Sequence, residues 1–501
     1  MKSHPQAGSS SPPSRLASLW RTTRWLAVGA GALAVWACST QPLATPQPDV
    51  VGIDHHVFQQ AVNRQLDLIF MIDNSSSMKP LQTQMTKNLP DFMNILKDQA
   101  TGGLPDVHIG VVSSDLGAGR AVFPGCNKQG GDRGMFKNDP RNPVNCTPPM
   151  NKYIISSINP DGSRQTNFGS GDITDVFSCI ALLGDTGCGF ESQFGSVLAA
   201  LSNPPPDGND GFLRDDAYLA VVMLTNEDDC TVPGDSDLFN PNMMDPAVDP
   251  YGAFQSYRCT EFGIACDEPM PHLSPASPVT LHNCHSKEDG RLLRVADFVA
   301  GLKATKSDPS KILFAVIAAL QTQGDATKPG SATANRDLSI GSTVVGGFQA
   351  PVLNHVPGCE TYSGDSALRI WDAVVQLGGV FQSICQDNYA SAMRVIAETI
   401  NKKLGPACIA GTIATDAQGQ PICHVVDRTF NAAGQSYQDV SLHSCAENPA
   451  PPCWKLSAGD KCPAGAHQLE VDRGGAPASS QVKAVADCEV CVPGSTNAGC
   501  M

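Results

Sequence analysis

The chain has 501 residues, 41% hydrophobic and 17% charged, a balance that excludes general disorder and a multi-span membrane protein and, at roughly 100 to 200 residues per domain, leaves room for two to four domains. Acidic residues outnumber basic ones by 49 to 34, a net charge of −15. With no cationic surplus to neutralise phosphates, nucleic acid is excluded as the expected partner.

Arg15, Arg21 and Arg24 precede an apolar run from Trp25 to Ala37, too short for a comfortable bilayer span and suited to a signal peptide. The run ends in Val35-Trp36-Ala37-Cys38, which resembles a bacterial lipobox, with Trp36 where a small residue is usual. The resemblance implies cleavage after residue 37 and lipidation of Cys38. The expected product is an exported lipoprotein anchored to a membrane, assigned by analogy to the outer membrane of a Gram-negative envelope; ordinary secretion is the alternative. Loss of residues 1–37 leaves 30 basic against 49 acidic residues, a net charge of −19, and 18 cysteines besides Cys38. An even number of cysteines in an exported chain reads as up to nine disulfides, with the connectivity open.

Residues 38–62 read as the lipidated cysteine and a tether, extended because its first part is rich in proline and small polar residues. Leu68 to Ile72 is a continuous apolar strand, as expected where both faces of a sheet are covered. Met78, Leu81, Met85, Leu89, Phe92 and Leu96 follow at helical spacing, with Pro80 suited to the first turn and Pro90 expected to kink or divide the helix. Strands are expected at Val107–Val112, Ala217–Leu224, Ile312–Leu320 and Val380–Cys385. Helical faces run through Phe190–Leu201, Leu292–Leu302, Ala367–Leu377 and Tyr389–Leu404. Over residues 63–404 this alternation predicts an α/β domain with a doubly wound, mostly parallel sheet.

Segments 117–185, 230–286 and 321–365 interrupt it and carry eight cysteines, the expected staples of long irregular loops. Residues 405–501 hold eight more cysteines among short alternating runs, which predicts a small, disulfide-stapled β or irregular domain.

The apolar strand ends in Asp73-Asn74-Ser75-Ser76-Ser77, an Asp-x-Ser-x-Ser pattern. Ligands of open α/β sheets bind beyond the carboxyl ends of the strands, and one carboxylate with two hydroxyls offers hard oxygens to a hard divalent cation. The bland reading of the same five residues is a turn and helix cap. In its setting of buried strand, amphipathic helix and α/β alternation, the motif resembles the von Willebrand factor A (vWA) domain and its metal-ion-dependent adhesion site (MIDAS).

That resemblance implies a threonine from a second loop, best matched by Thr186 with Thr174 as the runner-up. It also implies an acidic residue at a later strand end, where Leu224-Thr225-Asn226-Glu227 places Asn226 instead. The larger pattern, with Gly187-Cys188-Gly189-Phe190-Glu191 and Asn226-Glu227-Asp228-Asp229-Cys230, resembles secreted bacterial vWA lipoproteins with a Cys-rich C-terminal region. The implied site is Asp73, Ser75, Ser77, Thr186 and Asn226 around Mg²⁺, or Ca²⁺ or Mn²⁺. It would bind a carboxylate presented by a protein partner, in a cell-envelope adhesion module that is not an enzyme. Asn226→Asp is expected to restore the missing charge.

Two other classes compete with this reading. A metal-dependent hydrolase lacks any His-Glu-x-x-His, Gly-x-Ser-x-Gly or P-loop motif to support it. A structural envelope protein with a degenerate site has Asn226 in its favour. The Gly-Asp-Ser triplets at 234–236 and 364–366 read as loop and helix cap. Cys284 between His282 and His285, and the Cys488/Cys491 pair, read as disulfide cysteines rather than metal ligands.

Overall fold

The computed structural model describes residues 51–59, 65–97, 104–139, 147–158, 163–324, 332–405, 408–409, 411–430, 437–457, 467–474, 482–491 and 498–500. The leader, Cys38 and the first part of the tether lie outside them. The stretch assigned to the tether ends in a strand, β1 (Val51–Gln59). It is followed by β2 (Gln65–Ile72), α1 (Lys79–Leu96), β3 (Asp106–Ser113), the short strands β4 (Ile154–Ile158) and β5 (Arg164–Thr166), α2 (Ile173–Ala181), α3 (Gln193–Ala200) and β6 (Tyr218–Leu224). Next come α4 (Tyr257–Gly263), β7 (Val279–Leu281), α5 (Val295–Ala304), β8 (Ile312–Ala318), β9 (Leu338–Val345), β10 (Phe348–Leu353), α6 (Leu368–Leu377), β11 (Val380–Ser383) and α7 (Ala390–Leu404).

The apolar runs form the centre of a seven-stranded sheet of order β11-β8-β6-β2-β3-β4-β5. Side chains alternate across β2: Leu66, Leu68, Phe70 and Ile72 pack with Leu81, Met85, Leu89 and Phe92 of α1 and with Met393, Ile396 and Ile400 of α7. Ile69 and Met71 point the other way, toward Phe194 of α3, Phe298 of α5 and Ile370 of α6. α1 runs through Pro90 as one helix, against the expected division. Its buried stripe from Leu81 to Leu96 continues across the proline, and packing of that stripe outweighs one lost backbone bond. α6 begins at Leu368 without a side-chain cap from its own N-terminal residue. Asp228 supplies it from a distant loop, accepting from the backbone N–H of Arg369 at 2.9 Å and Ile370 at 3.1 Å; Ser366 is not the cap.

The expected doubly wound, mostly parallel sheet is corrected by the strand pairing. β3–β4 and β4–β5 are antiparallel, so the sheet is mixed. β7, β9 and β10 form a separate antiparallel sheet out of two of the long insertions. A second seven-stranded sheet joins β1 to the C-terminal strands β12 (Cys408–Ile409), β13 (Cys423–Phe430), β14 (Tyr437–Ser444), β15 (Cys453–Ser457), β16 (His467–Asp472) and β17 (Val482–Cys491), in the order β1-β17-β13-β14-β15-β16-β12. Among the described residues eleven strand pairings are antiparallel and five parallel. The chain is therefore a mixed α and β protein. Continuous apolar runs mark strands covered on both faces, whereas the antiparallel edge strand Arg164–Thr166, with no buried residue, leaves no such run.

Seven disulfides are described: Cys126–Cys188, Cys230–Cys259, Cys266–Cys284, Cys359–Cys385, Cys423–Cys488, Cys445–Cys453 and Cys491–Cys500. Cys179 is bonded as well. Cys284 is thus taken by Cys266, while Cys488 and Cys491 pair with other cysteines rather than each other. This density of bridges belongs to a protein that folds outside the reducing cytoplasm. No described helix is long and apolar enough to cross a membrane.

Candidate functional site

Strand register builds the site. Ile72 stands opposite Ser113 of β3 and Leu224 of β6, so the next residues, Asp73, Ser114 and Thr225, emerge side by side at the carboxyl edge. Asp73 is fully buried. Its Oδ1 accepts from the Ser75 backbone N–H at 2.8 Å, closing an Asx turn, and from the Ser114 hydroxyl at 3.3 Å. Its Oδ2 accepts from the Thr225 hydroxyl at 2.8 Å. Burial raises the Asp73 pKa, and these hydrogen bonds hold the rise in check.

The turn sets two serines side by side, Ser75 buried and Ser77 half-buried. Ser75 Oγ and Ser77 Oγ stand 3.4 Å apart, and Ser77 donates to Asn226 Oδ1 at 3.3 Å. The Asn226 amide is itself held from behind: Nδ2 lies 3.0 Å from the carbonyl oxygens of both Tyr362 and Ser363, and 3.0 Å from Ser77 Oγ. Four of the five expected residues thus converge from two strand ends. Their donors are one carboxylate, two hydroxyls and an amide oxygen, all hard oxygens that fit a divalent cation of the Mg²⁺ or Ca²⁺ type. No three described His, Cys, Asp or Glu side chains surround one point as metal ligands.

Thr186 is placed less directly. It is exposed, on a loop docked to the motif: Gly187 N–H donates to the Asn74 carbonyl at 2.8 Å, and Gln82 Nε2 ties the Asp73 carbonyl (2.7 Å) to that of Gly184 (2.8 Å). A Cβ on Gly187 would sit 2.2 Å from Asn74 Oδ1, so the approach requires glycine. Thr174 lies elsewhere, hydrogen-bonded to Asp172 and Lys97 at the start of α2.

Three carboxyl groups join the site that motif reading passed over: Glu191, Glu227 and Asp365. Glu191 lies five residues beyond Thr186, and Glu227 directly follows Asn226. Asp365 donates its backbone N–H to the Asn226 carbonyl at 2.8 Å. A signal was available in the quoted Gly187–Glu191 and Asn226–Cys230 stretches; for Asp365, remote in sequence, none was. Burial, the Glu227 carboxylate and Asp73 push Glu191 well up. Glu227 is pushed up to about 8, by burial first and then by Asp365 and Asp73.

A pH dependence follows from Glu227. A carboxyl whose folded pKa is raised stabilises the fold in its protonated form, fully below the unfolded value near 4.5, and loses that contribution as pH rises toward about 8. With chelator present, the melting temperature of the oxidised protein is expected to fall by several degrees between about pH 5 and pH 8.5. Scanning calorimetry at the two pH values checks it; an equal or higher melting temperature at the upper pH contradicts the raised Glu227 carboxyl.

No protein-family model matches the chain, and no curated protein matches it. Among solved structures it is similar to the pilus adhesin SpaC from Lactobacillus rhamnosus GG in its open conformation, at 11% identity and a TM-score of 0.29, covering 89% of this chain and 43% of that one. A second SpaC structure gives 10%, 0.26, 89% and 44%. The adhesive tip pilin GBS104 from Group B Streptococcus agalactiae gives 8%, 0.26, 89% and 82%. The chain spans under half the length of SpaC, and at these TM-scores neither fold nor function carries over.

Proposed function

We propose that this disulfide-stapled extracytoplasmic protein is an adhesion or partner-binding module of the vWA type, working through a divalent cation at the Asp73 edge. The observation that carries the reading is the convergence of Asp73, Ser75, Ser77 and Asn226, brought together across 149 residues of chain at Ser77 and Asn226. Ser75 and Ser77 would hold the cation, with Asp73 orienting them and supplying negative charge from behind. A cation ringed mostly by neutral oxygens stays electrophilic and takes one further oxygen, such as a carboxylate of a protein partner. In this chain Asp73 fixes the Asx turn, Thr225 and Ser114 fix Asp73, and the Gly184–Gly187 loop braces Asn74. No covalent step is involved.

Envelope proteins retained by the immobilised protein in Mg²⁺ and released by EDTA support the reading. Retention that ignores chelation overturns it in favour of a structural protein with a degenerate site, which the fully engaged Asn226 amide favours. Anchoring through Cys38 belongs to the same proposal. Cys38→Ala is expected to move the protein from the membrane to the soluble fraction; unchanged fractionation removes the lipid anchor.

A further inference from the structure

We propose that Gln193 is a positioning residue of the sheet-edge site, a role that rests on the Asp73 reading: through the Thr225 hydroxyl it keeps the Asp73 carboxylate turned to close on Ser75. Gln193 opens α3 and is wholly buried. Its Nε2 donates to Thr225 Oγ1 at 2.9 Å, and Thr225 Oγ1 donates to Asp73 Oδ2 at 2.8 Å.

A hydroxyl has one proton to give, and that of Thr225 has two acceptors in reach: Asp73 Oδ2 at 2.8 Å and the Glu227 carbonyl at 3.2 Å. Gln193 decides between them. Its Nε2 also lies 3.4 Å from the carbonyl oxygens of both Glu227 and Asp228, so one N–H fills a lone pair of Thr225 Oγ1 while the other turns to these carbonyls. The Glu227 backbone N–H, 3.3 Å from Thr225 Oγ1, adds a second donor to that oxygen. With its oxygen supplied and the competing carbonyl served, Thr225 keeps its proton on Asp73. Turning the Gln193 amide over would set its oxygen against two carbonyls, so the orientation is fixed. The buried Oε1 is left without a hydrogen bond from any described group, a cost to stability that accompanies a nitrogen committed to the site.

The start of α3 is held where this geometry needs it. Ser192 N–H donates to the Ser114 carbonyl at 2.8 Å, and Cys230 N–H to the Glu191 carbonyl at 2.8 Å. Phe194 N–H donates to Asp229 Oδ1 at 2.9 Å, and Gly195 N–H to Thr231 Oγ1 at 3.0 Å. These bonds bracket Gln193 between the end of β3 and the loop after β6, the two segments that also bring Ser114 and Thr225 to Asp73. Without the amide, the Thr225 proton is shared with the Glu227 carbonyl. Asp73 is then held through Oδ1 alone for part of the time.

Calorimetric titration with Mg²⁺ on the oxidised wild type, Gln193→Met, Thr225→Val and the double variant tests this, with circular dichroism as the check on folding. Gln193→Met removes the donor at similar size and is expected to bind Mg²⁺ about threefold to tenfold more weakly, the scale of one hydrogen bond. Thr225→Val is expected to weaken binding at least as much, and Gln193→Met to add nothing to it, because the amide acts through the hydroxyl. Thr225→Ser keeps the hydroxyl and is expected to restore sensitivity to Gln193→Met. Binding by Gln193→Met equal to wild type, or a loss that is the same with and without the Thr225 hydroxyl, overturns the role of Gln193 while the Asp73 site stands. Gln193→Leu replaces Gln193→Met if that variant does not fold, and Thr225→Val binding Mg²⁺ like wild type overturns the role whatever the Gln193 variants do. A wild type that binds no Mg²⁺ at millimolar concentration overturns the Asp73 reading and this role with it.

Discussion

Asp67→Ala is expected to destabilise the protein by about 3–5 kcal/mol, the cost of removing one partner from a buried charge network. Asp67, the second buried residue of β2 after Leu66, is inaccessible to solvent. Its Oδ1 accepts from Arg214 Nε at 2.8 Å, and its Oδ2 accepts from the Arg214 backbone N–H at 2.8 Å and from Lys306 Nζ at 3.2 Å. Arg214 also bridges to Asp106 on β3. The carboxylate therefore ties β2, β3, the loop before β6 and the segment after α5 into one end of the sheet, opposite the candidate site. Without it the Lys306 ammonium, wholly buried at its side chain, loses its hydrogen-bonded counter-charge and keeps only the weaker attraction of Asp215, while burial already lowers its pKa. Asp67→Ala with Lys306→Met removes both charges and is expected to recover a large share of the loss, since an apolar pair of similar volume substitutes well for a buried ion pair. Urea unfolding of the oxidised variants measures both; a loss below about 1 kcal/mol for Asp67→Ala contradicts the network's role.

How much of this was legible in the sequence depended on which physical signal each part emits. Leu68–Ile72 and Ala217–Leu224 are buried on both faces, so their strands appear as apolar runs, and the helix of α1 shows as a stripe from Leu81 to Leu96. The Asp-x-Ser-x-Ser turn is local, since Asp73 closes on Ser75 two residues away, and local geometry is written in adjacent residues. Partners fixed by register and loop docking are not. Asp365 reaches Asn226, and Asp228 caps α6, across more than a hundred residues, and no spacing rule connects them. The second sheet hid for a related reason: β1 pairs with β17 from the opposite end of the chain, so a sequence reading assigns one strand to a tether and the other to a separate domain. The apolar patches of its strands are short, as in β14, where only Leu442 and Ser444 are buried.

Asp73→Ala is expected to abolish divalent-cation binding at the sheet edge, and the behaviour of Asn226 decides how that result is read. Asp73 is the only carboxylate in the Asx turn that aims Ser75 and Ser77, and a hard cation gains more from an anionic oxygen than from a hydroxyl. Alanine also leaves the Ser75 N–H and the Thr225 and Ser114 hydroxyls without their shared acceptor. Asp73→Asn is the sharper variant: its amide oxygen still accepts from Ser75, so the turn survives while the charge is gone. Calorimetric titration with Mg²⁺, Ca²⁺ and Mn²⁺ is expected to show binding in the wild type, at least tenfold weaker binding in Asp73→Asn and none at this site in Asp73→Ala. Equal binding in all three removes the adhesion-site mechanism. By charge alone, Asn226→Asp would tighten the cation. The geometry adds an opposing effect, because Asn226 Nδ2 faces the carbonyls of Tyr362 and Ser363 at 3.0 Å each, and a carboxylate oxygen placed there repels both while leaving them unpaired. Unpaired acceptors kept from water cost about 1–3 kcal/mol, and Tyr362 and Ser363 are half-buried. In EDTA the Asn226→Asp variant is therefore expected to melt below the wild type, and added Mg²⁺ to raise its melting temperature by more than it raises that of the wild type. A variant as stable as wild type in EDTA would mean that the Tyr362–Ser363 segment does not hold Asn226 in place. Asn226 would then be a ligand position that had merely lost its charge.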